Sequence, residues 1–152
     1  MGIVIIILIV AICILASTVK EKMQGVKVRK NEHHSFAYCR LEKSTLIVLN
    51  NGVGVCSVGV DDEITTSASI YSLSVEEEHR RKGYGNRLLE EAENEARRRF
   101  GAKNTYLWAE KDKFTASWYQ RKGYTPLYSD DKYITFYKEL KGDVGQGNDK
   151  TK

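Results

Sequence analysis

A short segment in the middle of the chain has the residue types needed to bind an anion. It reads Arg80-Arg81-Lys82-Gly83-Tyr84-Gly85-Asn86 and lies between a predicted strand and the helix that follows. Glycines at positions 83 and 85 carry no side chain that would hold a ligand away from the backbone N–H groups. The first turn of the helix adds unpaired N–H donors and a partial positive charge. The segment is therefore predicted to bind a phosphate group through its main chain.

The spacing of the glycines separates this segment from the common nucleotide-binding loops. Neither Gly-x-x-x-x-Gly-Lys-Ser/Thr nor Gly-x-Gly-x-x-Gly occurs in the sequence, which argues against a P-loop and against a dinucleotide fingerprint. The pattern present is Arg80-x-x-Gly83-x-Gly85, five residues after Val75 at the end of a predicted strand. Taken alone, this motif could also be an arginine-rich solvated turn with a glycine kink.

A second motif lies downstream. Residues 106–109 are predicted to form a buried strand, and residues 112–122 a helix that ends at Gly123 and contains Trp118-Tyr119-Gln120-Arg121-Lys122. Together the two motifs resemble the acetyl-CoA signatures of the GNAT superfamily of N-acetyltransferases, Arg/Gln-x-x-Gly-x-Gly/Ala and Phe/Leu-Tyr-Glu-Lys-x-Gly-Phe. The resemblance covers residues 45–140.

This resemblance implies a fold, a reaction and a set of binding residues. The fold would be α+β, with a mixed, mostly antiparallel central sheet flanked by helices and a gap between the two central strands. The reaction would be direct transfer of an acetyl group from acetyl-CoA to an amine, without a metal. Contacts to acetyl-CoA would come from the end of the strand, the glycine segment and the start of the later helix: Leu73, Ser74, Val75, Arg80, Arg81, Lys82, Gly83, Tyr84, Gly85, Asn86 and Asp112. Asp112 stands where the family usually has asparagine.

The resemblance also assigns catalytic roles. Tyr119 would protonate the departing thiolate, and a backbone N–H at or near Leu73 would stabilise the charge on the thioester oxygen. Many family members use a glutamate on the preceding strand as the base, but residues 67–75 contain no carboxylate. Glu110 is the first candidate for this role and Tyr71 the second, with water and the histidines at 33, 34 and 79 as further choices. The missing carboxylate also leaves an inactive acyl-CoA sensor or scaffold as an alternative function.

Periodicity and turn residues predict the elements around these motifs. Leucine and alanine at 88, 89, 92 and 96 indicate an amphipathic helix over residues 84–100, which ends before Gly101. Asn51-Gly52 predicts a hairpin between residues 46–50 and 53–60. A last antiparallel pair is expected over 124–128 and 133–140. The first strand is either residues 26–29 or residues 36–41, which leaves about fourteen residues where the family usually has two helices. A partner, the membrane or a second copy in a homodimer could complete the shortened acceptor pocket.

The first nineteen residues have no charged side chain and form an almost unbroken apolar segment. As a helix they would span about 27 to 29 Å, which matches the hydrocarbon thickness of a bilayer. A cleaved signal peptide is less favoured, because no basic residue precedes the apolar run. A buried core helix is disfavoured in so small a domain. Residues 1–19 are therefore predicted to be a transmembrane anchor, with membrane contact through residues 2–19.

The distribution of charged residues predicts the orientation of the chain in the membrane and argues against a nucleic-acid partner. Lys20, Lys22, Lys27, Arg29 and Lys30 follow the span, and none precedes it, so the positive-inside rule places the catalytic domain in the cytoplasm. Residues 20–44 would be a juxtamembrane segment with a shortened N-terminal part of the fold, and residues 141–152 a disordered polar tail. The net charge of +4 is modest, and Arg97-Arg98-Arg99 fits a helix C-terminus, so a nucleic-acid partner is not expected. The three cysteines are interpreted as free thiols.

Overall fold

The computed structural model describes residues 26–31, 34–60, 66–111 and 113–141. They form one sheet of eight strands in the order β1-β2-β3-β4-β5-β6-β8-β7, and two α-helices. The strands are β1 (Val26–Asn31), β2 (His34–Arg40), β3 (Ser44–Leu49), β4 (Gly54–Gly59), β5 (Ser67–Val75), β6 (Asn104–Glu110), β7 (Thr125–Ser129) and β8 (Tyr133–Glu139). The helices are α1 (Tyr84–Phe100) and α2 (Lys113–Arg121).

Strand directions confirm the predicted mixed, mostly antiparallel sheet. Among the described strands, β5 and β6 form the one parallel pair, and all other neighbours are antiparallel. The crossover from β5 to β6 is made by α1, whose bounds agree with the predicted helix. The predicted anchor at 1–19, Asp112 and the tail from 142 onward lie outside the described residues.

The region before β3 differs from the prediction of a single first strand. Both candidate segments are strands, and β1 pairs with β2 from Val26↔Cys39 to Asn31↔His34. β1 thereby satisfies the outer backbone groups of β2, which would otherwise be the edge of the sheet. Residues 34–40, within the stretch where the family usually has helices, form strand β2.

Both described helices lie on the same face of the sheet. Pairing aligns Thr45, Val58, Ile70, Leu107 and Phe136 across five strands on that face. α1 packs on it through buried residues Leu88, Leu89, Ala92 and Ala96. The Tyr119 ring of α2 lies 5.8 Å from the Phe136 ring, which places α2 beside α1. The opposite face presents Tyr71 and Trp108, which are 41% and 52% exposed.

An ion pair joins the C-terminal half of α1 to β2, and hydrogen bonds join it to β3. Glu95 is fully buried and accepts two hydrogen bonds from Arg40, at 2.7 and 2.9 Å. Arg99 donates to the carbonyl oxygen of Ser44 and to Thr45 Oγ1, both at 2.6 Å. Arg99 therefore has a second role besides complementing the helix dipole, because its side chain binds carbonyl oxygens of the turn between β2 and β3.

The two ends of the sheet are distinct. The antiparallel pairings place Val26, the first residue of β1, at the same end as Ser67, the first residue of β5. Asn104 at the start of β6 lies there too, because β6 is parallel to β5. The last residues of β5 and β6, Val75 and Glu110, lie at the opposite end.

Candidate active site

A gap opens between the two central strands, as the resemblance implied. β5 and β6 pair only from Ser67↔Asn104 to Ile70↔Leu107, and the later residues of both strands diverge. A cavity of about 460 Å³ occupies the opening. Its wall comes from both strands and from α2: Ile70, Tyr71, Ser72, Leu73, Trp108, Ala109, Glu110, Thr115 and Tyr119. The three catalytic candidates, Tyr119, Glu110 and Tyr71, and the predicted donor Leu73 are all among these residues.

One wall of the cavity contains a β-bulge. Between Tyr71 and Ser74, β5 has one residue more than the opposing part of β4. Ser72 has a φ of 57°, which is unusual for a residue other than glycine. A bulge leaves its extra residue out of the hydrogen-bond ladder, and both Ser72 and Leu73 line the cavity. The sequence had no turn residue that signals this bulge.

The opposite wall carries Tyr119, which is 7% exposed. Its ring packs against Trp118, Tyr124 and Phe136, with ring centroids 4.7 to 5.8 Å apart. Burial, with a smaller contribution from the nearby Cys56 thiol, raises the pKa of Tyr119 to about 12. The phenol therefore keeps its proton at neutral pH, as a proton donor requires.

The two candidates for the base occupy the exposed side of the cavity. Glu110 ends β6 and is exposed, and its carboxylate is the one acidic group among the described residues that line the opening. The hydroxyl of Tyr71 lies against Gly59, at a point where any β-carbon would collide with it. The absence of a side chain at Gly59 therefore leaves room for the Tyr71 hydroxyl.

Two left-handed residues shape the segment of residues 80–86 before α1, which the sequence predicts to bind an anion and which is called the anion-binding segment. Arg81 has a φ of 61° and Gly83 a φ of 84°, and such a backbone turns successive N–H groups toward one point. A β-carbon at Gly83 would meet nothing within 4 Å, so this side of the segment is open to a ligand. Arg81 and Lys82 are exposed beside it. These features fit a diphosphate at the start of α1.

The other predicted members of this segment have more specific positions. Arg80 donates from Nε to the carbonyl oxygen of Val75 at 3.0 Å and so ties the segment to the end of β5. A β-carbon at Gly85 would lie 3.6 Å from the Trp118 ring, so Gly85 faces α2. The sequence assigned the same role to Gly83 and Gly85, which is to keep side chains away from the ligand. In the structure Gly83 faces open space and Gly85 faces Trp118. Asn86 is exposed in the first turn of α1.

Aromatic contacts that the sequence did not predict surround Tyr84. The rings of His34 and His79 lie 5.9 and 6.1 Å from the Tyr84 ring, both edge-on. Both histidines thus lie beside this segment, and neither is among the residues that line the cavity. His33, the third histidine considered as a base, lies outside the described residues. Trp108 and Thr115 do line the cavity, and the alternation along β6 could have indicated Trp108.

Sequence comparison identifies the family. A model of the acetyltransferase (GNAT) domain matches residues 33–126. The chain belongs to the GNAT acetyltransferases. This GNAT protein is accordingly an acetyltransferase whose acetyl donor is acetyl-CoA. No curated protein matches it by sequence.

Solved structures share the GNAT fold at low sequence identity. One is a Klebsiella pneumoniae protein assigned as an acyl-CoA N-acyltransferase, with 19% identity, a TM-score of 0.59, and coverage of 65% of this chain and 74% of that one. The N-acetyltransferase PseH of Campylobacter jejuni, in complex with acetyl coenzyme A, has 17% identity, a TM-score of 0.55 and coverages of 66% and 70%. Escherichia coli ElaA has 20% identity, a TM-score of 0.53 and coverages of 63% and 68%.

Two further findings concern membranes and metals. In the described ranges, neither helix of this GNAT protein is long and apolar enough to cross a bilayer. In the same ranges, no group of three or more histidine, cysteine, aspartate or glutamate side chains could hold a metal ion.

Proposed function

We propose that this protein is a membrane-anchored N-acetyltransferase that transfers the acetyl group directly to an amine of a protein or a small molecule. The observation that carries the proposal is the cavity between β5 and β6. It has a β-bulge at Ser72 on one wall and the protonated Tyr119 on the other. Both substrates of a direct transfer would have to meet in such a space.

Binding of the coenzyme would use main-chain groups. The N–H groups from Arg81 to Asn86 would hold the diphosphate, with charge support from Lys82. Beyond Ile70, β5 no longer pairs with β6. Its free edge, at Leu73, Ser74 and Val75, would pair with the pantetheine arm in the way that an added strand does. Asp112 would also contribute, but it lies outside the described residues.

The transfer step needs a group that stabilises developing negative charge. When the amine attacks, charge accumulates on the thioester oxygen, and a backbone N–H at or near Leu73 is the proposed donor. The bulge supports this role because it frees main-chain groups at this point of β5. Removing one such donor typically costs about 2.7 to 4 kcal/mol of transition-state stabilisation.

Two proton transfers complete the proposed reaction. Glu110 would accept a proton from the incoming ammonium, because an ammonium has no lone pair and only the neutral amine can attack the thioester. Tyr119 would donate its phenol proton to the departing sulfur. Both side chains line the same cavity, which supports a short proton path, and Tyr71 is the second candidate for the base.

The uncharged residues 1–19 support anchoring in a membrane, and the lysines and arginine that follow support a cytoplasmic catalytic domain. Alkaline extraction of cell membranes tests the anchor, because an integral protein stays in the pellet. Release into the supernatant would refute anchoring without affecting the acetyl transfer.

The transfer itself can be tested with the full-length protein in detergent. We expect thiol release from acetyl-CoA in the presence of some members of an amine panel that includes lysine peptides and polyamines. Calorimetry would establish in parallel that acetyl-CoA binds. Tight binding without thiol release for any amine would refute the amine acceptor.

A further inference from the structure

The turn between β7 and β8 brings a lysine to the edge of the cavity. The backbone N–H of Lys111 donates to the carbonyl oxygen of Lys132 at 3.1 Å. Lys111 directly follows Glu110, which lines the cavity and is the register partner of Tyr133. The backbone of Lys132 is therefore hydrogen-bonded to the residue that directly follows Glu110 of the cavity wall.

The ammonium of Lys132 lies on the side of the sheet to which Glu110 points. Its Nζ is 5.0 Å from the centre of the Tyr133 ring, and Tyr133 and Glu110 share a face because they are paired across β6 and β8. Lys132 is exposed. Its flexible four-carbon stem lets the amine move by several ångströms without a change in the backbone.

We propose that Lys132 is an acetyl acceptor and that the enzyme modifies this residue within its own chain. The proposal rests on the proposed function. It names a lysine ε-amine as the class of acceptor for the cavity between β5 and β6. The Lys132 ammonium lies 5.0 Å from the Tyr133 ring, and Glu110, the register partner of Tyr133, lines the cavity.

The reaction balances with groups of the site. The Lys132 ammonium gives one proton to the Glu110 carboxylate, and the neutral nitrogen forms a bond to the carbonyl carbon of the thioester. The carbon–sulfur bond breaks, and its electron pair goes to sulfur, which takes the Tyr119 proton. The proton lost from the acylated nitrogen restores the Tyr119 phenol. The products are acetyl-lysine, the coenzyme thiol and one proton, which Glu110 passes to water.

Non-enzymatic acetylation by acetyl-CoA would not favour Lys132 over other lysines. A hydrogen bond with Tyr133, together with the charges of Tyr133 and Glu110, raises the pKa of Lys132. A smaller fraction of the amine is therefore neutral than at an ordinary surface lysine. Lys103 offers an internal comparison, because it is exposed and lies at the opposite end of the sheet, beside Asn104. Faster acetylation of Lys132 than of Lys103 would therefore require catalysis by the residues of the cavity.

Incubation of the full-length protein with acetyl-CoA, followed by peptide mass spectrometry, tests the proposal. We expect acetylation at Lys132 to be about 100-fold faster than at Lys103, which is the lower range of general acid–base catalysis. The rate constant should not depend on protein concentration. Tyr119→Phe should remove the preference, and Lys132→Arg should remove the modified peptide.

A second measurement needs no coenzyme. In an NMR titration, Lys132 should lose its proton at lower pH in Glu110→Gln than in the wild-type protein, because a neighbouring negative charge is gone. An unchanged titration, equal rates at Lys132 and Lys103, or a rate that rises with protein concentration would each overturn the proposal. Thiol release with small amines while Lys132 stays unmodified would overturn it and leave the proposed function intact. Absence of both acetyl-CoA binding and thiol release would instead refute the function.

Discussion

Tyr119 allows a substitution that removes the proton while keeping the packing. Phenylalanine preserves the ring that contacts Trp118, Tyr124 and Phe136. We expect Tyr119→Phe to lower kcat by about 10² to 10⁴, the usual contribution of a general acid, with little change in the Kd of acetyl-CoA. Steady-state thiol release and calorimetry measure the two quantities.

The pKa of Tyr119 adds an expectation for the pH dependence of the wild-type protein. Because the phenol has a pKa of about 12, the activity of the wild-type protein should show no loss from ionisation of Tyr119 below about pH 11. Tyr106→Phe is a suitable control, since Tyr106 packs against Tyr137 and does not line the cavity. Equal turnover in Tyr119→Phe and the control would contradict the assigned role.

At the scale of elements, the two glycines that flank α1 form a matched pair. Gly83 and Gly101 are both left-handed, and a β-carbon at either would meet nothing within 4 Å. Valine at either position should cost about 1–2 kcal/mol of stability through backbone strain. Only Gly83→Val should also weaken acetyl-CoA binding, because its side chain would lie where the diphosphate approaches the N–H groups. Calorimetry of both variants separates the effects, and similar Kd values would argue against binding at this segment.

The elements also show how far sequence reasoning could reach. The bounds of α1 followed from periodicity, because a helix depends on neighbouring residues. The place of Tyr119 beside the cavity was implied by the family resemblance. The pairing of β1 with β2 and the bulge at Ser72 depend on strand register, which local patterns do not determine. The proximity of Lys132 to Glu110 has the same origin, since it arises from the alignment of β6 with β8.

For the whole molecule, the buried carboxylate of Glu95 links the helix layer to the sheet. Burial alone would raise the pKa of Glu95, but hydrogen bonds and charge from Arg40, with help from Thr45 and Arg98, hold it below the ordinary value. Glu95→Gln leaves Arg40 without its charged partner, and we expect a loss of about 3–5 kcal/mol in the free energy of unfolding at pH 7. Urea denaturation measures this loss.

The pH dependence of the same variant has a definite sign. The folded pKa lies below the unfolded value of about 4.3, so the stabilisation is complete above that pH and decreases as the pH falls through the folded pKa. The difference between wild type and Glu95→Gln should therefore shrink below about pH 4. Glu90→Gln, at an exposed site of the same helix, should change stability by no more than about 0.5 kcal/mol. A constant difference across this range would show that the charge of Glu95 is not responsible.

The direction of the strands has a consequence for which molecules can be modified. Val26 lies at one end of the sheet, and the cavity opens near Val75 and Glu110 at the other. Strands β5 and β6 run from one end to the other and have nine and seven residues, which is a distance of roughly 20 to 30 Å at about 3.3 Å per residue. If the enzyme is tethered to a bilayer through the residues before Val26, the cavity between β5 and β6 would lie at the end of the sheet away from the tether and would face the aqueous phase. Acceptors diffusing in from solution, or side chains of the enzyme itself, would then reach it more readily than the headgroups of surrounding lipids.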